Sequence, residues 1–275
     1  MRKLLHITDI HFGPNHLPDR AAGLAALVSE REPDHVVVSG DLTRRAKPSQ
    51  FRAARRWLDS LRRPVFAVPG NHDVPMYRFW ERLLVPFGAW DKHWGGEREP
   101  SIADSELHMV GVNSATNWAI VGGRLGGATR DRCRARFASA AAGAYRVAVI
   151  HHNLIRPPGL DDLPYVPSGT DDTLELLAAS GVDLVLGGHA HQSFRGRNRH
   201  PGRVGRAPTL MLYAGTASSS RGRGAERGQN TCHWIEIGED GADVGFCRWS
   251  DEVRGFVEDS RRHFGRCSAG SFEDE

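Results

Sequence analysis

A chain of 275 residues with 40% hydrophobic and 25% charged residues lies in the ordinary globular range, which excludes disordered and fibrous classes and leaves room for one large layered domain. The formal charge of +3 is carried almost wholly by arginine, since only Lys3, Lys47 and Lys92 are lysines, and the basic residues are scattered instead of forming the stripe a nucleic-acid partner would need. No run approaches the ~18 apolar residues of a membrane span, and the apolar part of MRKLLHITDIH is shorter than the ~7 to 15 residues of a secretory core, so a cytoplasmic protein is expected.

Short β-branched runs alternate with segments of helical period, the pattern of βαβ units around a largely parallel or mixed sheet. In chain order the pattern predicts strands at 3–8, 35–39, 65–68, 107–112, 145–150 and 183–187, with helices at 20–31, 49–61, 76–85, 130–141 and 171–179. Asp19 and Thr170 are placed to cap the first and last helices. The stretch from Arg195 to Arg206 is broken by Gly and Pro and reads as a solvated loop. From about residue 208 the helices cease, and TLMLYAG, CHWIEIG and ADVGFCRWS predict antiparallel strands completing a second sheet, the last two joined at Glu239-Asp240-Gly241. One domain over 1–255 is expected, followed by a polar tail over 256–275. Cys133, Cys232, Cys247 and Cys267 show no C-x-x-C pair or regular spacing, so free thiols are expected.

Five predicted strands end in metal-capable residues: Asp9-Ile10-His11, Gly40-Asp41, Gly70-Asn71-His72-Asp73, His151-His152 and Gly188-His189-Ala190-His191. In a layered α/β sheet the carboxyl ends of the strands open onto one crevice, so these residues should converge although they span more than half the chain. Each motif alone carries little weight; their joint occurrence in one structural context carries much more. The glycines before Asp41, Asn71 and His189 are expected to let the backbone turn tightly. Imidazole, carboxylate and amide donors without thiolate suit Mn²⁺, Fe²⁺ or Fe³⁺, or Zn²⁺, and so many histidines argue against Ca²⁺ and Mg²⁺.

Taken in order, D-x-H, GD, GNHD, HH and GHAH resemble the signature of the calcineurin-like metallophosphoesterase superfamily, over residues 1 to about 250. The resemblance implies an α/β fold, a four-layer αββα sandwich of two mixed β-sheets flanked by helices, with two metal ions at its edge. One ion would take Asp9, His11 and His191, the other Asn71, His151 and His189, with Asp41 bridging them. Two divalent ions exceed the charge of two carboxylates and a bridging hydroxide, and that surplus would draw in a phosphate and hold the hydroxide in line for attack on phosphorus. The resemblance gives His72 the role of touching the phosphate and protonating or steadying the leaving oxygen, with Asp73 fixing its tautomer. It selects His151 over His152, since alternation sends the next side chain the other way. Many relatives follow HH with proline where this chain has Asn153, a departure expected to alter pocket shape.

Segments 74–100 and 153–169 should overhang the metals as lid or substrate segments, with a rigid surface connection as the alternative for the second. In the first, positions 76, 79, 80, 83, 84 and 87 follow helical spacing and are expected to pack in the core, leaving Trp90, His93 and Trp94 as open candidates for stacking on a base. Arg44, Arg45 and Arg156 follow ligand-bearing strand ends and are candidates for phosphate contact, with solvated loop arginines as the alternative. The SGDLT...F...W-L run resembles the bacterial cyclic-nucleotide phosphodiesterase branch. The expected function is therefore a binuclear-metal phosphodiesterase acting on a small substrate such as a 3′,5′-cyclic nucleotide, with no membrane span and no clear nucleic-acid surface. Phosphomonoesterase, glycerophosphodiesterase or pyrophosphatase action with the same metals is the alternative. A nuclease is disfavoured by the scattered charge, and a non-catalytic scaffold by the complete ligand set.

Overall fold

The computed structural model describes residues 1–160, 166–198 and 207–266. The first half runs β1 (Arg2–Ile7), α1 (Pro18–Arg31), β2 (His35–Val38), α2 (Pro48–Ser60), β3 (Val65–Ala67), α3 (Phe79–Leu84) and α4 (Gly88–Trp94). Next come β4 (Ser101–Ala103), β5 (Leu107–Val112), α5 (Gly127–Ala138), β6 (Tyr145–Ile150), α6 (Thr170–Ala179) and β7 (Leu184–Gly187). Five strands close the described chain: β8 (Phe194–Asn198), β9 (Thr209–Tyr213), β10 (Thr231–Ile237), β11 (Gly241–Ser250) and β12 (Gly255–Gly265).

These strands form two six-stranded sheets, ordered β12-β11-β10-β1-β2-β3 and β4-β5-β6-β7-β9-β8. Both are mixed: β1, β2 and β3 are parallel to one another, as are β5, β6, β7 and β9, while the remaining pairings are antiparallel. Near-continuous apolar runs make this possible, because a strand covered on both faces needs no polar alternation. In β7 all four residues are buried, and in β5 all six. Leu4, Val37, Phe66 and Ile235 of the first sheet meet Met109, Val147, Leu186 and Leu212 of the second to form the central core. On the outer face of the first sheet Leu5, Ile7 and Val38 pack with Leu24, Phe51, Leu58 and Trp90 from the helices. Outside the second, Val110, Ile150 and Met211 pack with Phe137 and Leu177. The layers are α, β, β, α, as the resemblance implied.

Four expectations are corrected. Helix α1 begins with Pro18 at its first position after Leu17, and α6 follows Gly169, so neither Asp19 nor Thr170 is a cap; Thr170 Oγ1 instead donates to the Pro167 carbonyl. Strand β9 is parallel to β7 and lies in its sheet, whereas β10 and β11 join β1 in the other. The connection from β7 to β9 passes through edge strand β8 instead of a helix, which removed the sequence signal of a crossover. That edge strand takes up Arg195 and Arg197 of the basic stretch, whose residues 199–206 lie outside the described residues. Residues 256–265, expected in the tail, form most of β12, anchored at its two ends by buried Phe256 and Phe264 with mostly exposed residues between. Cys267 and the rest of the tail lie outside the described residues, as do residues 161–165 of the second expected lid.

Candidate metal centre

Three neighbouring parallel strands in each sheet, β1, β2, β3 and β6, β7, β9, deliver their following loops to one crevice. The backbone is held there in a conformation that L-residues seldom take: φ is +52° at Asp9, +46° at His11, +53° at Asp41, +69° at His189 and +56° at His191. Each such residue costs about 1–3 kcal/mol, and such strain persists where the surroundings over-determine it. The Asp9 amide donates to the Gly40 carbonyl and the His11 amide to that of Asp41, so the loops after β1 and β2 run locked side by side. Of the three glycines expected to turn the chain, only Gly40 is left-handed, at φ +102°. Gly70 and Gly188 serve close approach instead, since a methyl group there would lie 2.2 Å from Asp41 Oδ1 and 2.0 Å from Thr8 Oγ1 respectively.

The seven residues singled out in the sequence come together in two groups around Asp41. In the first, one donor atom each from Asp9, His11, Asp41 and His191 lie within 4.8 Å of one another. His11 Nε2 is 3.1 Å from His191 Nε2, and Asp9 Oδ1 is 2.9 Å from the latter. In the second, Asn71 Oδ1 lies 3.2 Å from His151 Nε2 and 3.1 Å from His189 Nδ1. Asp41 faces both, Oδ2 lying 3.7 Å from His11 Nε2 and Oδ1 3.5 Å from His151 Nε2.

Three of the ring nitrogens lack a proton. His11 Nδ1 lies against the Thr43 carbonyl at 3.2 Å, His151 Nδ1 against that of Ser39 at 2.8 Å, and His191 Nδ1 against that of Arg221 at 3.0 Å. A carbonyl only accepts, so each Nδ1 carries the ring hydrogen and each Nε2 presents a lone pair. Burial pushes all three imidazoles below their ordinary pKa, His11 to about 3, so a second ring proton is disfavoured. The lone pairs of His11, His191 and the carboxylate oxygen of Asp9 therefore face one another. Asp9 Oδ1 and Asp41 Oδ2 are buried with no hydrogen-bond donor among the described residues. Such a cluster is costly alone and is relieved by cations, so the donor set fits metal ions.

The acids are also tuned. Burial, reinforced by Asp9 and Asp73, pushes Asp41 up. Asp9 Oδ2 is occupied by the His189 amide and the Thr8 hydroxyl, which leaves Oδ1 for the cluster. The amide nitrogen of Asn71 donates to the Ile120 carbonyl, which turns Oδ1 inward.

His152 has a nitrogen close to those of His151 and His189. Its ring is committed elsewhere, Nδ1 to Ser114 Oγ at 2.7 Å and Nε2 toward the Val121 carbonyl at 3.2 Å. Asn153 does not shape the cleft; it is fully buried and donates to the Gly188 carbonyl, tying the end of β6 to the loop that carries His189.

His72 faces the cleft, but not as expected. Its Nδ1 meets the Arg44 carbonyl at 3.0 Å and Arg44 Nη1 at 2.9 Å, and its Nε2 meets Arg221 Nη1 at 3.0 Å. Asp73 does not orient it: the Asp73 carboxylate accepts from the amides of Leu42, Thr43 and Gly70 and from Thr43 Oγ1. Asn71–Asp73 form one tight 3₁₀ turn, in which adjacent side chains diverge by about 120°. Asp73 thus clamps the loop after β2 onto the loop after β3, and burial pushes its pKa up to about 6 against those donors.

A cleft of about 270 Å³ opens over the cluster, lined by Arg44, His72, Met76, Ile120, Val121 and Arg221 among others. Of the other open candidates, Trp90 is fully buried, and His93 and Trp94 pack with it around Phe51, so all three belong to the α2–α4 core. The helical stripe expected in the core is the exposed part: Phe79 is 64%, Trp80 70% and Leu84 71% accessible, and only Phe87 of that set is buried. Helix α3 is fixed through Arg82, whose guanidinium donates to the carbonyls of Pro75, Thr116, Asn117 and Ala119. Arg45 lies over the Tyr77 ring and Arg156 is exposed. Arg221 was missed in the sequence because its loop follows β9, the strand whose direction was misread.

An αββα sandwich with imidazole and carboxylate donors at the carboxyl ends of its parallel strands points to the metallophosphoesterases. The model of the calcineurin-like phosphoesterase family matches residues 2–193, and the chain belongs to that family. It is 30% identical over 190 residues to a probable cyclic nucleotide phosphodiesterase of Synechococcus, covering 64% of each chain. It is 42% identical over 80 residues to the glycerophosphodiester phosphodiesterase GpdQ of Enterobacter lignolyticus, covering 26% of this chain and 29% of that one. The chain thus spans less than two thirds of the length of either curated relative. A dimetal phosphatase from Danio rerio shares the fold with a TM-score of 0.68 at 10% identity, covering 96% of this chain and 98% of that one. Among the described residues, no helix is long and apolar enough to cross a membrane.

Proposed function

We propose that this chain is a binuclear-metal phosphoester hydrolase, a phosphodiesterase acting on a small diester of the 3′,5′-cyclic nucleotide type. The observation that carries the reading is the pair of donor clusters that meet at Asp41, into which the Nε2 lone pairs of His11, His151 and His191 point. Asp9, His11 and His191 would hold one ion, Asn71, His151 and His189 the other, and Asp41 both. Two divalent ions of the Mn²⁺, Fe or Zn²⁺ type would supply a nucleophilic hydroxide at neutral pH and the charge that polarises a phosphoryl group. The protein side chains do the rest: the Nδ1–H bonds fix the imidazoles of His11, His151 and His191, Asn71 is turned inward by Ile120, and His72 borders the place left for substrate.

The small cleft sits near the low end of ligand-site volumes, about 300–1,000 Å³, which favours a compact substrate over a polymer. The Synechococcus similarity supports the cyclic-nucleotide choice, and the shorter stretch shared with GpdQ supports a glycerophosphodiester as the second reading. The test is a panel of cyclic nucleotides, glycerophosphodiesters, monoesters and nucleic acids assayed with Mn²⁺, alongside elemental analysis of the protein and of Asp41→Asn. Two ions per chain in the wild type, fewer in Asp41→Asn, and fastest turnover on a cyclic nucleotide are expected. A wild type that takes up no metal, or keeps full activity in strong chelator, would sink the reading.

A further inference from the structure

Several arginines among the described residues end on acids: Arg2 on Asp104, Arg31 on Glu258, Arg98 on Asp91, Arg132 on Glu99 and Arg266 on Asp183. Arg221 and Arg44 do not, for neither has a carboxylate within ion-pair distance among the described residues, although both line the cleft. Arg221 Nη1 lies 3.0 Å from Nε2 of His72 and 3.1 Å from Nε2 of His11. Arg44 Nη1 approaches the other nitrogen of His72, and its Nε donates to Asn15 Oδ1. Two guanidinium groups thus flank one neutral ring. The acids that act on Arg221 through charge, Asp41 and Asp9, belong to the donor clusters. A half-buried cation without a counter-ion is unfavourable unless an anion completes the site.

The loop carrying Arg221 is anchored at several points. Thr216 Oγ1 donates to the Asp9 carbonyl, the Ser220 amide to that of Asn15, and the Arg223 amide to that of His191. Main chain and side chain of Arg221 have separate tasks, since its carbonyl takes the Nδ1–H of His191 while its guanidinium reaches into the cleft. An ion at His11 Nε2 would replace the Arg221 contact there and leave the guanidinium its contact with His72 Nε2 at the cleft.

We propose that Arg221 is a further catalytic residue, whose guanidinium, backed by Arg44, receives the non-bridging oxygens of the substrate's phosphoryl group; this rests on the phosphoester hydrolase reading above. The planar fork of an arginine matches two phosphate oxygens, and negative charge grows on those oxygens as the displacement proceeds. A fixed cation at that place therefore stabilises the transition state more than the ground state.

The experiment compares wild type, Arg221→Ala and Arg221→Lys in the Mn²⁺-loaded protein. It measures metal content, circular dichroism, binding of inorganic phosphate by calorimetry, and kcat/KM on bis-p-nitrophenyl phosphate. The alanine variant keeps the carbonyl that holds His191, so both ions and the fold should be retained. Phosphate affinity should fall about 10- to 100-fold, as expected for a lost charged hydrogen bond, and kcat/KM about 10²- to 10³-fold. Lysine, which keeps the charge and loses the fork, should recover part of both. Wild-type phosphate affinity in Arg221→Ala overturns the clamp alone, and so does a variant that has lost metal, which would place the side chain in support of the ligands. A wild type that binds no metal and hydrolyses no ester overturns the hydrolase reading and the clamp together.

Discussion

His72 stands between two arginines instead of beside a carboxylate, which limits what it can do. The Arg44 carbonyl fixes the hydrogen on Nδ1, and burial, with His11, Arg221 and Arg44 close by, pushes the imidazole far below its ordinary pKa. A general acid acting on the leaving oxygen would need that hydrogen on the cleft side, at Nε2. The arrangement favours a positioning role, in which Nε2 accepts from Arg221 and holds it toward the cleft. His72→Ala should therefore retain both ions and lose on the order of 10²-fold in turnover, similarly for p-nitrophenyl and alkyl esters. A loss ten or more times greater with alkoxide leaving groups would return His72 to the acid role. At this scale the seven donor residues were legible because each follows a strand, where topology alone dictates direction. The partner of Asp73 was not, since adjacency in sequence says nothing about where side chains point within a 3₁₀ turn.

Elements with a strong apolar signal were read more easily than those held by polar contacts. The stripe at 76, 79, 80, 83 and 84 announced an amphipathic helix, but period alone cannot say whether anything covers its apolar face, and α3 is fastened through Arg82 instead. Strand β12 escaped notice because it has few apolar residues; it pairs along its length with β11, and charge ties it to helix α1. Glu258 accepts from Arg31 of α1 and from Arg261 within β12, each at 2.7 Å. Arg261 is the main cause that holds Glu258 down to about 2, with burial opposing and Arg31 assisting. A folded pKa below the unfolded value, about 4.3, gives stability that is present above that value and lost as pH falls through about 2. Because Arg261 is more than a third exposed, solvent screening reduces the contribution to about 1 kcal/mol. Glu258→Gln should lower the melting temperature by about 2–4 °C at pH 7, with the difference from wild type shrinking as pH falls from 4 towards 2. Thermal unfolding followed across that range checks it; a constant difference at every pH would mean that the lost contact is packing and not charge.

The whole molecule is organised so that neither sheet holds a complete cluster. Loops of the first sheet bring Asp9, His11, Asp41 and Asn71, and loops of the second bring His151, His189 and His191. Both clusters draw donors from both sheets, with His11 meeting His191 across 180 positions of chain and Asn71 meeting His189 across 118. An unfolded chain cannot gather donors so widely spaced, so ions captured here bind the native state almost exclusively and cross-link the sheets at their carboxyl edge. The five left-handed residues and the unprotonated lone pairs make that edge costly without ions, which adds to the linkage. Metal at about 100 times its dissociation constant should contribute about 2.7 kcal/mol per site. At about 2–4 °C per kcal/mol, adding Mn²⁺ to chelator-treated protein should raise the melting temperature by at least 5 °C. Asp41→Asn should show a smaller rise, because its amide keeps one neutral oxygen and loses the charge that faces both clusters. Scanning calorimetry with and without Mn²⁺ distinguishes the cases. A melting temperature indifferent to metal in the wild type would mean that the converging donors do not act as a site, whatever the family to which the chain belongs.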